Sequence, residues 1–210
     1  MNGGTRCPNA LVRVTTIAAA LSAFTPPAQA HLVTTGLGPV YDGVGHFFLS
    51  PEDVLIALAL ALFAGLRGPV AGRKVMVLLP AGWLLGSIAA RFSTFSPLDG
   101  QIPSAVSLLL AGILIAADAA LPNWAVVAVA FALGAAHGFY NGLAMREAGW
   151  SVALLQLLGI SIALFVLATL FSALVVALRR PAARIVVRVA GSWTAAIGLL
   201  LLGWAIRLRR

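Results

Sequence analysis

From Trp150 to Leu178 the chain carries no charged side chain. A helix needs about 20 apolar residues to cross the hydrocarbon core of a bilayer, and this run exceeds that length. Shorter runs of the same kind recur along the sequence, separated by brief stretches of Gly, Pro and Arg. The composition agrees: 61% of the 210 residues are hydrophobic and 10% are charged. A soluble globule of this size needs a more polar exterior. The expected fold class is therefore all-α, a polytopic transmembrane helix bundle. The net charge of +8 sits at the ends of apolar runs, with no basic, aromatic-interleaved patch of the kind that binds nucleic acid. The single cysteine, Cys7, excludes an intrachain disulfide and offers no thiolate metal site.

Arg6 and Arg13 precede an apolar run from Val14 to Phe24, and Pro26-Pro27 leads into Ala28-Gln29-Ala30. A positive segment, a short apolar segment and an Ala-x-Ala site form the pattern of a secretory signal peptide. Residues 1–30 are expected to be removed, leaving 31–210 as one transmembrane helical domain. An uncleaved signal anchor is the other reading, and both put His31 outside the cytoplasm. Cleavage after Ala30 would make His31 a new N-terminus, whose amine and imidazole could chelate a metal together.

Six spans are expected after the signal peptide. They run over about Pro51–Leu66, Val75–Ala90, Ile102–Ala120, Trp124–Met145, Trp150–Leu178 and Ile185–Ile206. Since the first is short, Gly45–Leu49 is expected to enter the interface or dip inward. With His31 outside, the basic loops Arg67–Lys74 and Arg179–Arg188 fall inside, as the positive-inside rule requires. The terminal Arg207, Arg209 and Arg210 fall outside and run against it, so five and seven spans stay open.

Three of the six acidic residues, Asp42, Glu52 and Asp53, lie close to His46 at the mouth of the first span. Ser50-Pro51-Glu52-Asp53 reads as a helix start, with Ser50 as N-cap, Pro51 at the first position and two carboxylates at the positive end of the dipole. Capping alone would explain Glu52 and Asp53. His137 lies in the outer half of the fourth span, with Asn141 one turn later on the same face. It could be a packed histidine bonded to a backbone carbonyl. Ionisable groups inside a membrane usually face a bundle interior or a pathway. The convergence of His46, Glu52, Asp53 and His137 on one outer layer therefore points to a cation site. Asp118, at the inner end of the third span, is expected to pair with Arg67, Arg73 or Lys74, or else to mark an inner exit.

At these residues the chain resembles the HupE/UreJ family of bacterial membrane proteins, which are associated with hydrogenase and urease clusters and regarded as nickel/cobalt permeases. The family pattern Glu-His-x-x-x-Gly-x-Asp-His is approximated by Gly45-His46-Phe-Phe-Leu-Ser50-Pro51-Glu52-Asp53. His46 matches, Glu52 replaces the Asp, and Asp53 stands where the family has its second His. His137-Gly138-Phe139 matches a later His-Gly-Phe motif. The resemblance implies a bacterial inner-membrane transporter with a periplasmic mature N-terminus, carrying a divalent transition metal as substrate. The lipid bilayer and the metal ion are its expected partners, with metalloenzyme maturation proteins as further ones. On this reading His31 and Asp42 collect the ion, and His46, Glu52, Asp53 and His137 bind it. Carboxylates neutralise its charge and imidazoles select against Mg²⁺ and Ca²⁺. No organic cofactor is implied.

Two other classes bear on the same residues. A non-transporting accessory factor would hand metal to an enzyme complex and need no continuous polar path. An intramembrane hydrolase would need His-Glu-x-x-His, which is absent, or a serine for His137. Ser151 and Ser161 lack a Gly-x-Ser-x-Gly setting. The chain is therefore not expected to be an enzyme.

Overall fold

The computed structural model describes residues 34–95, 101–178 and 181–208. The expected signal peptide, Cys7 and His31 lie outside these residues. The described residues form seven helices and no strand: α1 (Pro39–Leu49), α2 (Pro51–Arg67), α3 (Pro69–Ala90), α4 (Gln101–Ala116), α5 (Asn123–Ala144), α6 (Trp150–Ala177) and α7 (Pro181–Leu208). The all-α expectation holds, and each expected span corresponds to one helix from α2 to α7. By length and composition α3, α5, α6 and the Arg184–Leu208 part of α7 can each cross a membrane. A fifth crossing follows if α1 and α2 count as one broken span. The chain is thus a multi-pass membrane protein. The apolar helix α4 has 16 residues, about 24 Å at 1.5 Å per residue, shorter than the roughly 30 Å hydrocarbon core.

Helix α3 starts at Pro69 rather than about Val75 and α7 at Pro181 rather than about Ile185, and two further points differ from the sequence reading. Gly45–Leu49, expected to enter the interface or dip inward, is helical: it belongs to the 11-residue α1, which meets α2 at 81° across the single residue Ser50. Pro51 lacks the N–H that would continue α1 and biases Ser50 away from helical dihedrals. Ser50 accordingly has φ −99° and ψ 89°. Its side chain does not cap α2, because the hydroxyl turns back to the His46 carbonyl at 2.9 Å. The N–H groups of Asp53 and Val54 are instead taken by the Ser50 carbonyl, at 3.0 and 3.1 Å.

The other difference is the end of α4. The expected span reached Ala120, but the helix stops at Ala116 because Asp118 adopts φ +51°. The Asp118 N–H reaches the Ile115 carbonyl and the Ala119 N–H reaches Leu114, both at 2.9 Å. This is the paired closure that usually places glycine in the left-handed position.

Close backbone approach holds the bundle together where lipid supplies no hydrophobic drive between helices. The α3–α5 pair is one such case. A Cβ on Gly138 would collide with the Trp83 carbonyl, and one on Gly86 with the Ala135 carbonyl. Ser87 donates across the same seam to the Gly138 carbonyl at 2.7 Å. Gly138→Leu is therefore expected to separate α3 from α5 and destabilise the protein by about 1–3 kcal/mol, the usual cost of overpacking. A lower midpoint in a thermal unfolding assay of detergent-purified protein is the predicted result, and an unchanged midpoint would contradict the close-approach account. Because His137 precedes Gly138, this seam also fixes where the imidazole points.

Candidate functional site

Five helices bring side chains to one buried polar cluster near the Pro51 end of α2. Asp53 is 3% exposed, and its neighbours in the cluster are His137 at 2% and Asn141 at 7%. The Asp53 Oδ1 lies 2.9 Å from His137 Nδ1. Its Oδ2 accepts from Asn141 Nδ2 at 2.8 Å. The same Asn141 amide donates to the His137 carbonyl at 3.1 Å, and its Oδ1 lies 3.0 Å from His46 Nε2. On the far side of His137, Nε2 lies 2.6 Å from Ser107 Oγ. The indole ring of Trp83, from α3, covers His137 with centroids 5.6 Å apart.

Valence fixes much of the proton arrangement. An ionised carboxylate only accepts, so His137 Nδ1 and Asn141 Nδ2 both donate to Asp53. With both amide protons directed at acceptors, Asn141 presents its oxygen to His46. Nε2 of His46 is therefore the protonated nitrogen, and Nδ1 is left outside the network. Ser107 has one proton and two neighbours, His137 Nε2 and the Ser104 carbonyl at 2.8 Å. Donation to Ser104 requires a second proton on His137, whereas donation to His137 leaves the imidazole neutral. The single hydroxyl proton thus serves one of these two acceptors at a time.

Of the residues singled out from sequence, His46, Asp53 and His137 are joined here through Asn141. Glu52 is half-buried and has no hydrogen bond to the described residues. Adjacent helical residues point about 100° apart, so only one of the two carboxylates can face inward. Asp42 is also apart: it accepts from the Thr35 N–H at 2.6 Å and hydroxyl at 2.7 Å, pinning the start of α1. His31 lies outside the described residues. Among the described residues, no group of three or more His, Cys, Asp or Glu is arranged to hold a metal ion. The cluster is a closed hydrogen-bond network in which each donor is directed at an acceptor of a neighbouring side chain.

Two participants were missed in the sequence. The serine partner of His137 is Ser107, in α4, rather than Ser151 or Ser161. Serine is common in membrane helices, and nothing in Ser104-Ala-Val-Ser107 distinguishes one hydroxyl from the other. Asp118, at the opposite end of α2, does pair with Arg67, as expected, but it also binds Arg184 of α7, which the spacing gave no reason to select. The hydrogen bond from Arg184 and the charges of Arg67, Arg184 and Arg188 hold the Asp118 carboxyl below the usual carboxylate range, against the opposing effect of its burial. Helix α2 therefore has the Asp53 network at its start and the Arg67–Asp118–Arg184 ion cluster at its end.

A protein-family model described as HupE / UreJ protein matches residues 19–201. The chain belongs to the HupE/UreJ family. The match covers most of the sequence and contains every member of the His46–Asn141–Asp53–His137–Ser107 network. Neither a curated protein nor a solved structure gives a match. HupE/UreJ membership agrees with the resemblance drawn from His46 and His137-Gly138-Phe139. The geometry adds that Asp53, not Glu52, supplies the carboxylate to the network.

Proposed function

We propose that this HupE/UreJ chain is an inner-membrane permease that carries a divalent transition metal, nickel or cobalt by family association, toward the cytoplasm. The observation that carries the reading is the buried network in which Asp53 joins His137 and Asn141, and Asn141 joins His46. Two imidazoles, a carboxylate and an amide oxygen within one cluster form a donor set suited to a first-row transition ion. Ion arrival would replace the internal hydrogen bonds with coordination by these same atoms. His31, Asp42 and Glu52 would serve on the approach, where they can attract the cation without committing it. The bend at Ser50 supports an approach between α1 and α2, because non-helical backbone inside a membrane is tolerated where it lines a cavity or protein interior.

In the topology proposed, the signal peptide is removed and six crossings follow, with α1 and α2 sharing the first and the mature N-terminus periplasmic. Arg67, Arg73, Lys74, Arg184 and Arg188 then face the cytoplasm. The Asp53 network lies toward the outside, and the Arg67–Asp118–Arg184 cluster closes the inner end. Cysteines introduced at Gly72 and Ala183 are expected to resist an impermeant thiol reagent in intact cells. Labelling of either before lysis would contradict this orientation.

The order Asp53–His137–Ser107 also resembles the hydrogen-bond order of a serine hydrolase triad. Ser107 is 4% exposed and lies within a regular helix, whereas hydrolytic nucleophiles of the Gly-x-Ser-x-Gly type stand on an exposed, sharp turn. The transport reading therefore uses these residues better. Its test is accumulation of nickel, cobalt, copper, zinc and iron by cells expressing the chain. Uptake of one or two of these above the empty-vector level is expected. Accumulation at the vector level for all five would leave the accessory, metal-delivery role in its place.

A further inference from the structure

The two arginines at the start of α7 are held in an unusual way. Arg184 Nε donates to Asp118 Oδ2, and Arg188 Nε donates to the Ala116 carbonyl at 2.9 Å. Ala116 is the last residue of α4, where carbonyls lack helical partners and attract cations. Both side chains are thus anchored by Nε to the α4–α5 turn, while neither Nη group hydrogen-bonds to the described residues. Four residues apart on a helix, the two guanidinium groups are neighbours. Both are exposed, and the Arg184 side chain retains 56% of its surface.

Among the described residues the charge here is not balanced. Asp118 is the carboxylate that Arg67 and Arg184 share, and Arg188 stands beside it. Beyond the arginines, α7 continues with an exposed apolar face: Ile185 at 61%, Val189 at 50%, Trp193 at 69% and Leu199 at 60%. In a multi-pass membrane protein such a face meets acyl chains, and the arginines stand at the helix end where headgroups begin. Paired guanidinium forks suit phosphate oxygens, which accept two parallel N–H bonds.

We infer that Arg184 and Arg188 form a binding site for the phosphate of an anionic phospholipid whose acyl chains lie along α7. The two Nε anchors fix the forks before the lipid arrives, so little side-chain freedom is lost on binding. This inference rests on the membrane placement of α7 and not on metal transport, so either can fail without the other.

The test is native mass spectrometry of the delipidated full chain titrated with phosphatidylglycerol or phosphatidylcholine. Phosphatidylglycerol is expected to bind in preference, and Arg184→Gln/Arg188→Gln to weaken it by about tenfold or more, the scale of losing charge-assisted bonds. Arg73→Gln/Lys74→Gln removes the same charge from exposed positions on α3 and should change binding less than about twofold, since it removes only general attraction. Arg184→Lys/Arg188→Lys keeps the charge without the fork, guards against misfolding of the glutamine variant, and should still weaken binding several-fold. Equal losses from the α3 variant would show general charge attraction and overturn the site. Full retention by the lysine variant, no preference over phosphatidylcholine, or displacement by millimolar inorganic phosphate would each overturn it as well.

Discussion

Asp53→Asn is expected to reduce metal accumulation by roughly a hundredfold while leaving the protein in the membrane. The substitution barely changes volume, but it removes the negative charge and places an amide N–H₂ where two donors now converge. His137 Nδ1 at 2.9 Å and Asn141 Nδ2 at 2.8 Å both need an acceptor. One side-chain oxygen remains for two buried donors, and each unsatisfied one costs about 1–3 kcal/mol. Loss of the network's carboxylate would also remove the charge that, in the proposed function, compensates a divalent ion. Glu52→Gln removes an equal charge one residue away, outside the network, and should lower accumulation far less. Metal content per cell, normalised to membrane-inserted protein, separates the two. Equal losses would mean that the family correspondence through Glu52, and not the observed geometry, locates the carboxylate.

The second large effect concerns stability. Asp118→Ala should leave Arg67 without its carboxylate, although the Arg67 side chain is only 10% exposed. Breaking a buried pair by removing one partner costs about 3–5 kcal/mol. The loss here should lie at the low end, because Arg67 can turn toward the bilayer surface. Thermal unfolding in detergent should show a clear fall in the midpoint, accompanied by loosening of α7 from α4. The sign with pH follows from the lowered carboxyl of Asp118. A group whose folded-state value is depressed contributes fully above its unfolded value, near 3.9, and the contribution is lost as pH falls through the folded value. Stability from this cluster should thus be constant near neutrality and decline only in strong acid. Asp118→Asn should remove that acid-side decline, and an undiminished decline would assign it to other groups.

These residues show what the sequence reveals and what it does not. The helices α2 to α7 were legible because each is an apolar run, ended by Gly or Arg in all but α4, and membrane hydrophobicity is a local property. Helix α1 was not, because Asp42-Gly43-Val44-Gly45 has two poor helix formers in four residues. Gly43 is explained by packing: a Cβ there would collide with the backbone of Gln156 in α6. The Schellman closure at Asp118 was hidden for a similar reason, since an Asp in the left-handed region is held by its tertiary partners, Arg67 and Arg184.

The site was half legible. His46, His137, Asn141 and an acidic pair could be placed at one level from span parity alone. The choice between Glu52 and Asp53 could not be made. Asp53 shares its buried face with Ile56, Ala57, Leu60 and Ala64, but α2 is apolar on every side, so no polar stripe marked which face was inside. Ser107 and Arg184 became partners only through helix packing, and neither stands out from other serines and arginines in the sequence.

The network around His137 is proposed to pass a transition metal across the membrane. Its most direct test is purified protein reconstituted into liposomes that contain a metal-sensitive dye, with nickel or cobalt added outside. His137→Gln preserves volume and hydrogen-bonding ability while removing imidazole coordination. Wild-type protein should give dye signal well above empty liposomes, and His137→Gln should give almost none at equal protein incorporation. Wild-type signal no greater than empty liposomes for either metal, or full influx through His137→Gln, would contradict the account.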